Sequence, residues 1–347
     1  MKKVLVVDDS ALVRKVLGEE ISKFPDFTVV GSAIDPYDAR EKIFQLHPDI
    51  LTLDLEMPRM DGLSFLSKLM KFHPMPVVVV SSQAQEGSKA AMTALGLGAV
   101  GIVPKPGSQF SIPDVAHNLI HVLRAAAMVT TDKLRLQSEA SISESQENAV
   151  RLLKTTHKVI AIGASTGGTQ AVEAVLRDMP ADTPGTIIVQ HMPQSFTGAF
   201  AERLNKCCSM EVREAHDFDD VTPGMALIAP GDKHMVLVKN GARYQVRIKD
   251  GPRVHFQRPS VDVLFNSVAS NSGQNAIGVI LTGMGSDGAK GLLAMHSSGA
   301  HTIAQDEKSC VIYGMPKEAV ELGGVDEVLP LSQIASAILA KMGSSQN

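Results

Sequence analysis

The chain of 347 residues has no tryptophan, few other aromatic residues and few cysteines. Aromatic residues make up only 4%, which argues against the stacking platforms that bind single-stranded nucleic acid. The cysteines, Cys207, Cys208 and Cys310, are odd in number and lack the paired spacing of a zinc site. Because adjacent cysteines bridge poorly, we expect reduced thiols in a reducing compartment.

Charge and hydropathy exclude further classes of protein. With a formal net charge of −4, the sequence has no basic excess for nucleic acid or for a membrane surface. No apolar run approaches the ~20 residues of a membrane-spanning helix. Two aspartates stop the apolar run of MKKVLVVDDS, so the N-terminus predicts a strand rather than a signal peptide. We therefore expect a cytoplasmic protein.

Short apolar runs alternate with helical patterns in two regions of the chain, which predicts an α/β fold. In residues 1–122 the predicted strands are Lys3–Val7, Thr28–Ala33, Ile50–Leu53, Val77–Ser81 and Gly101–Val103. In residues 155–342 they are Val159–Gly163, Thr186–Gln190, Ala226–Ala229, Ala276–Leu281 and Ala300–Ala304. An Asn-Gly pair inside HMVLVKNGARYQVRIK adds an antiparallel hairpin. Residues 123–154, rich in polar residues, are predicted to link two doubly wound parallel-sheet domains.

Acidic, hydroxyl and basic side chains stand at the strand ends of the first region. Asp8 and Asp9 follow the first strand, and Asp54 ends the third. Ser81 ends the fourth strand, and Lys105 follows the fifth. In an open parallel sheet these ends share one edge, where Mg²⁺ would relieve the repulsion between carboxylates. A carboxylate beside Mg²⁺ and a lysine can attack a phosphoryl group, although each acid taken alone could be an exposed loop residue.

This set, with DLEMPRMDG around Asp54 and PKP around Lys105, resembles the receiver domain of two-component response regulators. The resemblance covers residues 1–122 and implies a flavodoxin-like fold. It implies that Asp54 is the phosphoacceptor, that Ser81 is the switch hydroxyl and that Lys105 contacts the phosphoryl group. The metal ligands that it implies are Asp8, Asp9, Asp54 and the backbone carbonyl of Glu56. Ile102 departs from the pattern, because many receivers have an aromatic switch residue there.

The stretch HKVIAIGASTGGTQAV ends an apolar run in a glycine-rich turn. A phosphate-binding Walker loop needs lysine where Thr169 stands, and a dinucleotide fingerprint needs glycine where Ser165 stands. Gly163 to Gly167 match G-x-S-x-G, which is typical of a serine on a tight strand-to-helix turn. Two alternatives remain open at this point: Ser165 caps the following helix, or an anion binds at the helix N-terminus.

A nucleophilic serine needs a base and a group that orients the base. His191 stands at the carboxyl end of the next predicted strand, and Asp287 follows another buried strand. We therefore predict that Ser165, His191 and Asp287 meet at one sheet edge. Their chain order differs from the Ser, Asp, His order of α/β-hydrolases. The backbone N–H groups of Thr166 and Met284 are predicted oxyanion donors, because neighbouring glycines allow close approach.

Other acids and histidines of the second region have plainer interpretations. Asp262, in RPSVDVLF, could line the site, but it is better interpreted as an acid at a helix N-terminus. The histidines interpreted as structural or surface residues are His216, His234, His255, His296 and His301.

Several stretches of residues 155–342 resemble the catalytic domain of the chemotaxis protein-glutamate methylesterases. They are IGASTGGTQAV, QHMPQSFTGAFAERL, APGDKHM, RPSVDVLFNSVA and LTGMGSDGAKGL. The resemblance implies a Rossmann-like domain without a cofactor, with Ser165 as nucleophile, His191 as base and Asp287 as its orienter. It implies hydrolysis of glutamyl methyl esters, and deamidation of glutamines, on methyl-accepting chemotaxis receptors. The protein would contact membranes only through these receptors, and a chemotaxis histidine kinase would phosphorylate it.

The fusion of a receiver to a hydrolase suggests a switch. Our hypothesis is that the unphosphorylated receiver blocks the Ser165 edge and that phosphorylation opens it. The main rival is a response regulator whose output domain only binds, with Ser165 as a helix cap. A DNA-binding output is weaker, because no basic helix-turn-helix module is evident. Esterase activity on proteins outside chemotaxis is a third possibility.

Overall fold

The computed structural model of the chain describes residues 1–57, 60–81, 85–105, 112–130, 133 and 158–343. The chain divides into two compact units, Met1–Glu144 and Ser145–Asn347. Both units are built on parallel sheets with intervening helices, which confirms the predicted fold class. Most of the predicted linker, residues 123–154, lies outside the described residues.

The first unit is a five-stranded parallel sheet with helices between its strands. Its strands are β1 (Lys2–Val7), β2 (Phe27–Ala33), β3 (Ile50–Asp54), β4 (Val77–Ser81) and β5 (Gly101–Pro104). Its helices are α1 (Ala11–Ser22), α2 (Pro36–Leu46), α3 (Gly62–Phe72), α4 (Gln85–Gly96) and α5 (Ile112–Met128). The strand order β2-β1-β3-β4-β5 is flavodoxin-like, as expected.

Burial and register in the first sheet explain both the apolar runs and the position of the acids. β3 and β4 are buried at every residue, as expected for strands covered on both faces. Val7 of β1 pairs with Leu53 of β3, so the residues that follow, Asp8 and Asp54, are neighbours at the carboxyl edge. Helix α5 continues past residue 122, the predicted end of this domain, to Met128.

The second unit is built on a seven-stranded parallel sheet with the order β14-β13-β12-β6-β7-β9-β8. The strands of the unit are β6 (Val159–Ala164), β7 (Thr186–Gln190), β8 (Glu211–Glu214), β9 (Met225–Ile228), β10 (His234–Asn240), β11 (Arg243–Lys249), β12 (Ala276–Ile280), β13 (His301–Gln305) and β14 (Glu327–Leu329). Its helices are α6 (Gly168–Arg177), α7 (Gln194–Cys207), α8 (Val261–Ser272), α9 (Ala289–Ser297), α10 (Met315–Glu321) and α11 (Leu331–Gly343). Because β12, β6 and β7 are adjacent, the turns that follow them meet at one edge.

Two parts of this unit differ from the sequence-based expectation. The edge strands β8 and β14 were not predicted, because each is short and carries few apolar residues. The predicted hairpin is present as β10 and β11, but it forms a separate two-stranded sheet. Its loop is Gly241-Ala242 rather than Asn-Gly, because Asn240 already pairs with Arg243, and Gly241 takes the positive φ of 60°.

The core of the second unit joins the large sheet to α8, α9 and the hairpin. Among its buried members are Phe265 of α8, Leu292 of α9 and Leu237 of β10. This packing fixes the N-terminus of α8 against the carboxyl edge of the sheet. Within the described residues, no helix is both long enough and apolar enough to cross a membrane.

Candidate active site

Ser165 lies on the turn between β6 and α6, at the carboxyl edge of the large sheet. β6 ends at Ala164, and its place in the sheet puts this turn between the ends of β7 and β12. The Ser165 N–H donates to the Thr282 carbonyl at 3.0 Å, which ties the turn to the segment after β12. Gly167 has a φ of 77°, and a side chain there would overlap Val311. The turn therefore requires glycine at this position.

His191 follows β7 directly beside the Ser165 turn. The last pair of the β6–β7 ladder joins Ala164 to Gln190, and the His191 N–H then donates to the Ala164 carbonyl at 3.0 Å. The imidazole Nε2 lies 2.8 Å from Oδ2 of Asp287. Its Nδ1 is buried and has no hydrogen-bond partner among the described residues. Because Asp287 holds the proton on Nε2, Nδ1 is the nitrogen that can accept a proton.

Asp287 is 2% exposed, and its carboxylate accepts hydrogen bonds from the N-terminus of α8. The donors are Ser260 Oγ at 2.8 Å, Val261 N at 2.8 Å and Asp262 N at 3.0 Å. Burial alone would raise the pKa of Asp287. The hydrogen bond and charge of His191, with the α8 donors, outweigh burial and hold this pKa below its ordinary value. Asp287 is therefore ionised and lies in hydrogen-bond contact with the imidazole Nε2.

The contact between α8 and Asp287 is the part of the site that sequence reasoning missed. Asp262 lies in the first turn of α8, as expected, and its side chain is buried. Its Oδ1 accepts from the Gly291 N–H at 2.6 Å, and its Oδ2 lies 3.0 Å from His255 Nε2. Burial raises the pKa of Asp262. The motif RPSVDVLF signalled the start of a helix, but nothing in it signalled which residue that helix contacts.

The predicted oxyanion donors belong to two segments that lie against each other. Thr166 follows Ser165, and Met284 follows Gly283, whose added Cβ would stand only 2.7 Å from Ser165 Cβ. Thr282 Oγ1 donates to the Thr166 carbonyl at 3.0 Å and so holds the two segments together. The N–H groups of Thr166 and Met284 donate no hydrogen bond to any described residue. Such N–H groups can stabilise a developing oxyanion.

The acidic cluster of the first unit forms at the ends of β1 and β3. Ligand oxygens of Asp8, Asp9 and Asp54 lie within 4.8 Å of one another. Asp8 and Asp54 are buried, whereas Asp9 is exposed. Lys105 Nζ lies 2.7 Å from Asp54 Oδ2 and 3.3 Å from Asp8 Oδ2. The structure therefore brings together the acids and the lysine that the sequence placed at separate strand ends.

Burial dominates the electrostatics of this cluster. Burial raises the pKa of Asp54 to about 6. Hydrogen bonds from Lys105 and from the Glu56 N–H lower this pKa but do not offset burial, and the Glu56 nitrogen lies 3.0 Å from Asp54 Oδ1. Burial also raises the pKa of Asp8, although Lys105 opposes the shift. Two buried carboxylates facing one ammonium group carry excess negative charge, which a divalent cation would neutralise.

The remaining receiver residues lie on β4 and β5. Ser81 is buried at the end of β4, and its carbonyl accepts from the Lys105 N–H at 2.9 Å. This hydrogen bond joins the end of β4, where Ser81 lies, to Lys105. Ile102 is buried within β5.

Comparison with known protein families defines the class. Residues 4–116 match the family model of the response regulator receiver domain. Residues 160–338 match the family model of the CheB methylesterase. The protein is therefore a response regulator whose output unit is a hydrolase.

Individual relatives agree over nearly the whole chain. The protein-glutamate methylesterase/protein-glutamine glutaminase 2 of Syntrophus aciditrophicus is 56% identical over 338 residues, 97% of this chain and 98% of the relative. The protein-glutamate methylesterase/protein-glutamine glutaminase of Salmonella typhimurium is 51% identical over 350 residues, 99% of this chain and 98% of the relative. The crystal structure of the Thermotoga maritima CheB methylesterase catalytic domain is similar with 36% identity and a TM-score of 0.52, over 53% of this chain and 98% of that one. The chain belongs to the CheB methylesterase family and carries a receiver domain.

Proposed function

We propose that the protein hydrolyses γ-glutamyl methyl esters on methyl-accepting chemotaxis receptors, releasing methanol, and deamidates particular receptor glutamines. The names of the two relatives support methyl esters of protein glutamates, and protein glutamines, as the groups acted on. The observation that carries the proposal is the arrangement of His191. Its Nε2 faces the buried carboxylate of Asp287, its backbone N–H bonds to Ala164 just before the Ser165 turn, and its buried Nδ1 makes no hydrogen bond to any described residue, Ser165 included. Serine, a weak nucleophile by itself, requires such a base.

In the proposed reaction, Ser165 Oγ attacks the ester carbonyl while His191 Nδ1 takes the hydroxyl proton. The carbonyl oxygen becomes an oxyanion, which the N–H groups of Thr166 and Met284 stabilise. The imidazolium then protonates the departing methoxide as the C–O bond breaks, which gives methanol and an acyl-enzyme. Water attacks the acyl carbonyl while Nδ1 takes its proton. Ser165 Oγ leaves with that proton, and the receptor glutamate is released.

Deamidation follows the same course, with ammonia as the leaving group. The amide nitrogen leaves only when the imidazolium protonates it, so His191 acts as acid as well as base. Asp287 stabilises the imidazolium, which forms once in acylation and again in deacylation.

We further propose that a chemotaxis histidine kinase supplies the phosphoryl group that Asp54 accepts. Three carboxylates within 4.8 Å of one another fit a hard cation with oxygen ligands. Asp8, Asp9, Asp54 and the Glu56 carbonyl would hold Mg²⁺, which when bound neutralises the charge of the pocket and of the incoming group. Lys105 pairs with an oxygen of the phosphoryl group, and the Ser81 hydroxyl is the switch group at the same site. Phosphorylation raises the esterase rate by shifting the receiver between two states.

The test is methanol release from membranes that carry methylated receptors, with and without a small phosphodonor and Mg²⁺. We expect the phosphodonor to increase release by the wild type but not by Asp54→Asn. We expect Ser165→Ala to lose at least ~10³-fold in rate. Equal rates for the wild type and Ser165→Ala would contradict the esterase proposal and favour an output unit that only binds. Ammonia release from receptors with glutamine at the same sites tests the second reaction.

A further inference from the structure

Gln190 places a buried amide between the Ser165 turn and His191. It is the last residue of β7, and only 3% of its surface is exposed. Its Nε2 donates to the Ser165 carbonyl at 2.8 Å and to the His191 carbonyl at 3.1 Å. One side chain therefore contacts the backbone of both residues that carry the proposed chemistry.

This amide continues the sheet where the backbone ladder stops. The last rung between the two strands is the His191 N–H to the Ala164 carbonyl. Beyond that rung, Ser165 turns away into α6, so no further ladder bond joins β6 to β7. The two N–H groups of the Gln190 amide satisfy the next carbonyl on each strand. These two hydrogen bonds keep the ends of β6 and β7 aligned for one residue beyond the last ladder bond.

The hydrogen bonds at the Ser165 carbonyl also fix the peptide that follows it. This carbonyl accepts from Gln190 and, at 2.8 Å, from the Gly168 N–H at the start of α6. A trans peptide is planar, and its C=O and N–H point to opposite sides. Fixing the Ser165 carbonyl therefore fixes the direction of the Thr166 N–H, which donates to no described residue.

The surroundings of the amide hold it closely in one place. The Gln190 Oε1 is buried and has no hydrogen-bond partner among the described residues, which is unfavourable for folding. Gly168 leaves the room that the amide occupies, because an added Cβ there would overlap Oε1 and would stand 2.6 Å from Ala164 Cβ. Because both of its carbonyl partners belong to residues that carry the proposed chemistry, the amide is expected to serve that site.

We propose that Gln190 is a positioning residue that aims the Thr166 N–H at the oxyanion of the proposed reaction. The inference rests on the proposed function and extends it to a residue that does not touch the substrate. Removing one oxyanion donor outright slows catalysis by about 10²–10³-fold. Losing only its alignment should lower kcat by about 10- to 100-fold, with little change in KM, since binding before the reaction does not use this N–H.

The experiment compares Gln190→Met with Asn271→Leu in the full-length protein. Asn271 is a matched control, because its Nδ2 also donates to two carbonyls, those of Leu237 at 3.1 Å and Ser267 at 2.9 Å. Both substitutions remove an amide that bridges two backbone carbonyls, but only Gln190 bridges those of Ser165 and His191. The measurements are kcat and KM for methanol release, thermal stability, and the pH dependence of kcat.

We expect Gln190→Met to lower kcat while KM and the acid side of the pH profile stay as in the wild type. Asn271→Leu should keep wild-type kcat, even if it lowers thermal stability. A wild-type kcat in Gln190→Met, or a kcat loss that Asn271→Leu shares, would overturn the inference. A shift of the acid side would also overturn it, because the residue would then act through the His191 base.

A second variant covers the case in which Gln190→Met does not fold. Gln190→Leu also removes both N–H donors, with a shorter apolar side chain that introduces no new donor or charge, so the same loss in kcat is expected. Full activity of this variant would refute the role of the amide. Absence of methanol release by the wild type itself, or full activity of Ser165→Ala, would instead reject the proposed function.

Discussion

Asp287→Asn replaces one carboxylate oxygen of the residue that we propose orients His191. In the wild type, Oδ2 accepts from His191 Nε2 and the Val261 N–H, and Oδ1 accepts from Ser260 Oγ and the Asp262 N–H. If the new amide nitrogen takes the Oδ2 position, it faces two donors, and His191 must move its proton to Nδ1. If it takes the Oδ1 position, the tautomer survives, but the Asp262 N–H faces a donor and the negative charge is gone.

Either orientation predicts a measurable loss in stability and a larger loss in catalysis. One buried N–H is left unpaired in each case, which costs about 1–3 kcal/mol of the free energy of unfolding. The wrong tautomer, or an imidazolium without its counter-charge, should lower kcat by about 10³–10⁴-fold, equivalent to ~4–5.5 kcal/mol of transition-state stabilisation. KM should change little, because Asp287 is too deeply buried to contact a protein substrate.

The assay is methanol release at saturating receptor, together with ¹⁵N NMR of the His191 ring to identify its protonated nitrogen. Asp217→Asn serves as the control, because Asp217 pairs with Arg247 and contacts none of the proposed catalytic residues. The control should retain wild-type kcat. A folded Asp287→Asn enzyme with kcat within about tenfold of the wild type would refute the assignment of Asp287 as the residue that orients the base.

Three further predictions test other parts of the molecule. Ser260→Ala removes one donor to Asp287 and should lower kcat by about tenfold, well short of the Asp287→Asn loss; a larger loss than Asp287→Asn would contradict the account of this contact. Gly167→Ala places a side chain against Val311 at a residue with positive φ, so it should lower the free energy of unfolding by more than about 1 kcal/mol. An unchanged melting temperature would count against the turn geometry. Burial raises the pKa of Asp54 from 3.8 to about 6, so the folded receiver binds this proton more tightly than the unfolded chain, and the ionised carboxylate destabilises the fold above about pH 6. Asp54→Asn should therefore raise the free energy of unfolding of the Mg²⁺-free receiver by up to ~3 kcal/mol at neutral pH, and this gain should vanish as the pH falls to 3.8. Hydrogen exchange of the β3 amides at neutral pH and at pH 3.8 checks this. Equal protection of the wild type and Asp54→Asn at neutral pH would refute it.

The sheet and the carboxyl-edge site could be predicted because parallel sheets have simple sequence rules. Continuous burial makes the central strands readable as apolar runs, as in β4 with VVVVS. Polar residues at the ends of such runs must then share one edge. The same rules failed for β8 and β14, because edge strands need few apolar residues.

The support around the proposed catalytic residues could not be predicted, because it depends on contacts between distant segments. The Ser260 side chain reaches Asp287 only because the core packs α8 against the sheet edge. Asp262 was interpreted as a helix-terminal acid, yet it also binds the Gly291 N–H. No local pattern indicates which imidazole nitrogen of His191 faces Asp287, since that choice depends on side-chain geometry.

We propose that Ser165 becomes the acylated nucleophile, with His191 as its base. The most direct measurement is covalent labelling of the full-length protein with a fluorophosphonate, followed by mass mapping of the modified peptide. We expect a single adduct on Ser165 in the wild type and strongly slowed labelling in His191→Ala. An adduct on another residue, or equal labelling of Ser165 with and without His191, would contradict these roles of Ser165 and His191.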